Sequence, residues 1–152
     1  MTHPLTDAAT PGGILLQTEF FQGLTPGQID RVAAVSERKQ FEIGHHVYRI
    51  GERAKAVYVL VDGSVGMAIG FGGRNAKTGD IVRRGDVFGW AALTPGSNQR
   101  IATASCLSPC DILAVDGVAL MELMEQDHTL GYRLMTQLTR LITGTLTAFV
   151  SG

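Results

Sequence analysis

Ala56-Val57-Tyr58-Val59-Leu60-Val61-Asp62-Gly63-Ser64-Val65 is the stretch on which the fold turns. Residues 56–61 are apolar throughout, apart from the Tyr58 hydroxyl, as in a strand covered on both faces. Asp62-Gly63 then reads as a tight hairpin turn needing positive φ, and Ser64 opens the next strand.

Outward from this pair the same punctuation repeats. Gln40–Ile43, Val47–Ile50, Ser64–Ile69, Ile81-Val82, Ile101–Ser105 and Asp111–Val115 read as short strands. Gly44, Gly51-Glu52, Gly70–Gly73, Gly79-Asp80, Gly85-Asp86 and Ser108-Pro109 separate them. Many short strands with regular turn signals point to a sandwich or barrel. Eight of the 19 glycines fall between Gly63 and Gly89, so the glycine excess is a turn excess.

The flanks read differently. Residues 1–13 are polar and contain Pro4 and Pro11, which marks a flexible N-terminal arm. Ile14–Phe21 is a short helical segment. Thr25-Pro26 is an N-cap followed by proline at the first helical position, opening a helix that ends near Ser36. From Gly117 the pattern is helical again. Val118–Gln126 forms one helix, and Asp127 caps a second over about 127–150. The class is α+β, mainly β: a double-stranded β-helix, or jelly-roll-like β-roll, over residues 14–152.

The 152 residues suit one domain. Charged residues make up 18% of them, against about 25% in an average soluble chain, which argues against wholesale disorder. A net charge of -1 gives no electrostatic reason to bind nucleic acid. No apolar run is long enough to span a membrane, and the first residues lack a secretory signal, so a cytoplasmic setting is expected.

Four separated motifs, in order, resemble the cyclic-nucleotide-binding domain of the Crp/Fnr regulators. They are Phe20-Phe21-Gln22-Gly23-Leu24-Thr25, then Gly51-Glu52 with Val57–Val65, then Gly85-Asp86-Val87-Phe88-Gly89, then Arg100-Ile101-Ala102-Thr103-Ala104. The resemblance covers about residues 15–149. It implies a non-catalytic sensory module that binds a cyclic nucleotide or another phosphate-bearing ligand, with no other cofactor. It places the ligand against Phe88, Gly89, Trp90, Ala91, Ala92, Arg100, Ile101, Ala102 and Thr103. Gly89 lets the backbone approach the ligand, Ala91-Ala92-Leu93 begin a short helix with free N–H groups, and Arg100 supplies a fork for phosphate oxygens.

The departure from the family is Trp90. Nucleotide-binding members carry glutamate there to accept from the ribose hydroxyl, and an indole N–H only donates. Ile101 also lacks the hydroxyl found in some members. Three readings of Trp90 stay open: a plug in the pocket, a stacking wall for a different anion, or a wall that forces a cyclic nucleotide into a shifted pose. The plug implies a protein-interaction module instead of a sensor.

Met135, Leu138, Ile142, Thr145 and Phe149 follow a +3, +4, +3, +4 spacing, a heptad seam over two repeats. The resemblance assigns this helix to homodimerisation and to a lid over the ligand. No helix-turn-helix follows it in the sequence, so DNA binding is not expected. Other residues read as structural. His45-His46 point to opposite faces of a strand and cannot share a metal. Cys106 and Cys110 flank a turn, as two small core residues or as a pair close enough for a redox bridge. Arg83-Arg84 is a solvated basic turn. No constellation for catalysis or metal binding can be read.

Overall fold

The computed structural model describes residues 10–71, 74–94, 96 and 98–151, with the side chains of 69–71, 74–80 and 145–151 excepted. The expected arm therefore lies almost wholly outside the described residues. It is also shorter than read: helix α1 already spans Pro11–Leu16, because Thr10 caps it by accepting from Gly13 N–H at 3.1 Å and Pro11 takes the first turn. A 3₁₀ turn at Glu19–Phe21 follows. Helix α2 is Pro26–Ala34, closed by a reciprocal capping box between Thr25 and Gln28.

Among the described residues eight strands follow: β1 (Ser36–Phe41), β2 (His46–Tyr48), β3 (Ala56–Asp62), β4 (Val65–Phe71), β5 (Arg74–Val82), β6 (Val87–Phe88), β7 (Ala102–Cys106) and β8 (Cys110–Asp116). Two differ strongly from the reading of the sequence. β1 begins at Ser36, where a helix end was expected, because its polar run pairs with β8 from Ser36↔Val115 to Phe41↔Cys110. β5 runs nine residues rather than two, paired antiparallel with β4. Both strands are polar along most of their length, so pairing and not side-chain pattern defines them.

The strands form two four-stranded sheets in the orders β1-β8-β3-β6 and β2-β7-β4-β5. This corrects the hairpin expected at Asp62-Gly63. Gly63 does take a positive φ, 108°, but β3 and β4 belong to different sheets. The turn is a crossing from one sheet to the other. It is tied down by Ser64 N–H donating to the Ser108 hydroxyl at 3.0 Å, and by Leu107 N–H donating to Ser64 O at 2.8 Å.

Alternation on β3 and β8 then builds two cores. Val57, Val59, Val61, Leu113 and Val115 face the helices, whereas Leu60 and Ile112 face the interior of the roll with Tyr48, Val65 and Phe88. β3 is thus covered on both faces, as its apolar run implies.

The chain ends in α3 (Gly117–Gln126) and α4 (His128–Ser151). Asp116 caps α3 through Ala119 N–H at 2.8 Å. Asp127 caps α4 through Leu130 N–H at 3.2 Å, and also accepts from Gln28 Nε2 at 3.0 Å and Arg31 Nη2 at 2.9 Å. It therefore ties the start of α4 to α2. On α4, Leu130, Leu134 and Leu138 are buried in the protein's own core. Leu138 was expected in a seam facing a second copy. A +3, +4 spacing marks an apolar face but not what covers it, and here the fold covers Leu138 itself. Met135 and Ile142 are half-buried beside the same core, while the side chains of Thr145 and Phe149 lie outside the described residues.

The hydrogen bonds from Gln28 and Leu130, helped by Arg31, hold the Asp127 carboxyl below its ordinary value. A lowered folded value means stability that is present above the unfolded value and lost as pH falls through the folded one. Asp127→Asn, which keeps a capping side chain, is expected to lower the thermal midpoint at neutral pH. The gap to wild type closes as the carboxylate is protonated in acid, and midpoints measured across that range check it. A gap that stays constant with pH would assign the effect to shape instead of charge.

Candidate functional site

Tyr48 on β2, Tyr58 on β3 and Phe88 on β6 bring three rings together across the two sheets. Ring centroids lie 5.9 Å apart for Tyr48–Tyr58, 5.3 Å for Tyr58–Phe88 and 6.2 Å for Tyr48–Phe88. Neighbouring rings at these distances pack favourably when offset. On this platform lies Arg100, 3% exposed, with its guanidinium carbon 4.0 Å from the centre of Tyr48 and 5.6 Å from that of Tyr58.

The guanidinium is fixed by backbone carbonyls. Nη1 donates to Gly89 O at 2.7 Å and Nη2 to Ala56 O at 2.6 Å. Nε is buried and has no hydrogen-bond partner among the described residues. No carboxylate pairs with Arg100 among them either. Burial pulls Arg100 below its ordinary value, although the neighbouring tyrosines and Glu52 oppose this. Burial also pushes Tyr48 up to about 12, so both tyrosines beside the cation remain neutral phenols at physiological pH.

Gly89 makes this close approach possible. Its φ is 76°, and a Cβ there would stand 2.9 Å from Tyr58 Cδ2, 3.0 Å from Arg100 Nη1 and 3.3 Å from Tyr48 Cε2. The chain then enters a single 3₁₀ turn, Trp90–Leu93, whose Ala92 N–H reaches back to Gly89 O at 3.4 Å.

A cavity of about 470 Å³ opens over these groups. That is within the usual range for small-molecule sites, roughly 300–1,000 Å³. Of the residues expected to bind a ligand, Phe88, Gly89, Trp90, Ala91, Arg100, Ile101 and Ala102 line it. Two others do not. Ala92 faces a separate groove of about 650 Å³ beside Gly117, Val118 and Glu122. Thr103 points to the outside of β7, where its hydroxyl accepts from Ile50 N–H at 3.0 Å. Alternation along β7 and the turn of the 3₁₀ helix send both side chains away from the cavity.

Trp90 is half-buried, packs against the helical core and forms part of the cavity wall. The cavity persists beside the indole.

The sequence reading missed Tyr48, Met67, Val82 and Asp86, and the α4 residues Arg140, Leu141 and Gly144, all of which line the cavity. Tyr48 and Tyr58 belong to strands in different sheets, so no local spacing links them. Arg140 lies outside the heptad positions that drew attention to α4.

The remaining candidates are elsewhere. His45 precedes β2, is exposed and stacks on Phe41 at 4.7 Å, whereas His46, the first residue of β2, is half-buried. Cys106 and Cys110 are buried free thiols, and burial beside Cys110 pushes Cys106 up to about 12, well away from a reactive thiolate. Among the described residues no helix is long and apolar enough to cross a membrane.

Residues 38–127 match the family described as the cyclic nucleotide-binding domain. A cGMP-dependent protein kinase of Caenorhabditis briggsae is 29% identical over 118 residues, which is 76% of this chain and 16% of the kinase. The chain thus spans about a sixth of that relative. The sensor domain of the transcriptional regulator DNR from Pseudomonas aeruginosa superposes with a TM-score of 0.71 at 23% identity, covering 88% of this chain and 89% of that one. The regulatory domain of Toxoplasma gondii PKA, solved with cAMP, gives 0.68 at 22% identity, covering 78% and 44%. Likenesses this distant in sequence speak to the fold.

Proposed function

Because the chain belongs to the cyclic nucleotide-binding domain family, we propose that it is a non-catalytic regulatory module that takes a small phosphate-bearing anion in the cavity and passes its occupancy to α4. The observation that carries this reading is Arg100. A guanidinium in the cavity lining, buried with no carboxylate at ion-pair distance and with its Nε–H unpartnered among the described residues, complements an anion.

The remaining groups have defined parts. Arg100 holds the anion, Gly89 keeps the wall thin enough for its approach, and Tyr48, Phe88 and Trp90 offer ring faces to an apolar or planar body. Arg140, Leu141 and Gly144 of α4 line the same space, so a ligand touches the roll and the helix together. It shifts α4 by as much as its affinity differs between two helix positions. Pairing of two copies through α4, with Met135 and Ile142 in the seam and Leu138 withdrawn from it, belongs to the same reading. The alternative, an interaction module plugged by Trp90, accounts less well for a cavity of about 470 Å³ beside the indole.

Titration calorimetry with cyclic AMP, cyclic GMP, 5′-AMP and inorganic phosphate tests the proposal. At least one is expected to bind, and Arg100→Lys to weaken it at least about tenfold, since an ammonium lacks the planar fork. Trp90→Glu is expected to raise cyclic-nucleotide affinity by about one to two orders of magnitude, a hydrogen bond to a charged group being worth about 1.5–3 kcal/mol. No heat from any of them, with Trp90→Glu equally silent, would sink the ligand reading. Sedimentation in the same buffers reads the copy number, and a monomer throughout would remove the pairing.

A further inference from the structure

The polar character of the cavity is lopsided. Among the described residues two arginines line it, Arg100 from the roll and Arg140 from α4, against a single carboxylate, Asp86. Asp86 turns one oxygen to its own loop, where Oδ2 accepts from Arg83 N–H at 3.0 Å. The Gly89 carbonyl already accepts from Arg100. Where family members present a carboxylate to a sugar hydroxyl, Trp90 presents a donor and a ring. The wall is therefore rich in donors and positive charge, and poor in acceptors.

Arg140 also differs in kind from Arg100. It is exposed, and no ion pair forms to it among the described residues. The two cations sit on opposite partners, one locked in the roll and one carried by the helix.

From this we infer that the ligand carries two separate anionic groups joined by a flat apolar body, one held by Arg100 and the second by Arg140. Such a ligand has acceptors where the wall has donors, and a ring face for Tyr48, Phe88 and Trp90. It relies on hydroxyl donors less than a sugar does, the described lining offering them only Asp86, one of whose oxygens is already bonded. Bridging the two arginines joins α4 to the roll, and a ligand with one anionic group does this less well. The inference rests on the anion reading above and narrows it to a class.

Three probes separate the two claims: phenyl phosphate, 4-carboxyphenyl phosphate and 4′-carboxybiphenyl-4-yl phosphate, titrated into the full chain by calorimetry. At least one carboxylated probe is expected to bind about tenfold more tightly than phenyl phosphate, with a steeper loss on adding salt. Arg140→Ala, a change at an exposed helical position, is expected to cost that probe about tenfold more affinity than it costs phenyl phosphate, which erases the preference. Arg140→Lys is expected to restore part of the gap. Equal binding of all three probes, or a preference that survives Arg140→Ala, overturns the two-anion inference and leaves the anion reading standing. The same holds if cyclic AMP binds and no aryl phosphate does. Failure of every phosphate compound overturns both.

Discussion

Gly63→Ala is expected to cost about 3–4 kcal/mol of folding stability, whereas Gly44→Ala costs about 1 kcal/mol. Both glycines hold positive φ, 108° and 86°, so both changes strain the backbone. Only Gly63 is also enclosed. A Cβ there would stand 2.6 Å from Pro109 O and 2.8 Å from Cys110 Sγ, while nothing lies within 4 Å of one at Gly44. The carbonyl belongs to the β7–β8 connection, which is anchored to the crossing by Ser64 and Ser108 and cannot simply step aside. Relief requires the two sheets to part where they join. Urea denaturation of the two variants beside wild type checks the difference, and equal losses would mean that the crossing is softer than its contacts imply.

Gly89→Ala is expected to lose about 2–3 kcal/mol of stability and, with it, at least about tenfold in affinity for any anion the cavity binds. The new methyl meets Tyr58, Arg100 and Tyr48 together, at 2.9, 3.0 and 3.3 Å. Nη1 of Arg100 is the most movable of the three, and displacing it gives up its bond to Gly89 O. Denaturation and calorimetry on the same preparation read the two losses. A protein that is destabilised but binds with undiminished affinity would show that Arg100 does not depend on this turn.

Much of this architecture was legible in the residues. The four motifs marked the roll, Thr25 and Asp127 marked helix starts, and Arg100 and Gly89, both expected at a ligand site, line one cavity. What escaped was whatever needs a partner to define it. The Ser36–Phe41 and Arg74–Val82 strands carry mostly polar side chains, and only their ladders make them strands. Asp62-Gly63 announced its backbone angle but not which strand would pair with which. The cavity platform unites Tyr48, Tyr58 and Phe88 from three strands, and the α4 wall arrives more than 40 residues after Trp90. Ala92 and Thr103 failed for the opposite reason: they are adjacent in sequence to true lining residues, and alternation turned them outward.

The carbonyl bonds of Arg100 have a last consequence, for entropy. A guanidinium has five N–H groups. Gly89 O and Ala56 O take one each from Nη1 and Nη2, and each of these nitrogens carries a second N–H. An arginine side chain free to rotate gives up about 2 kcal/mol of rotamer freedom when it is immobilised. Here the peptide carbonyls and the Tyr48 ring immobilise it during folding. An anion that docks on the remaining N–H groups breaks neither carbonyl bond and meets a side chain that has already stopped moving. The cost of order at this site falls on the stability of the fold, and the binding step is largely relieved of it.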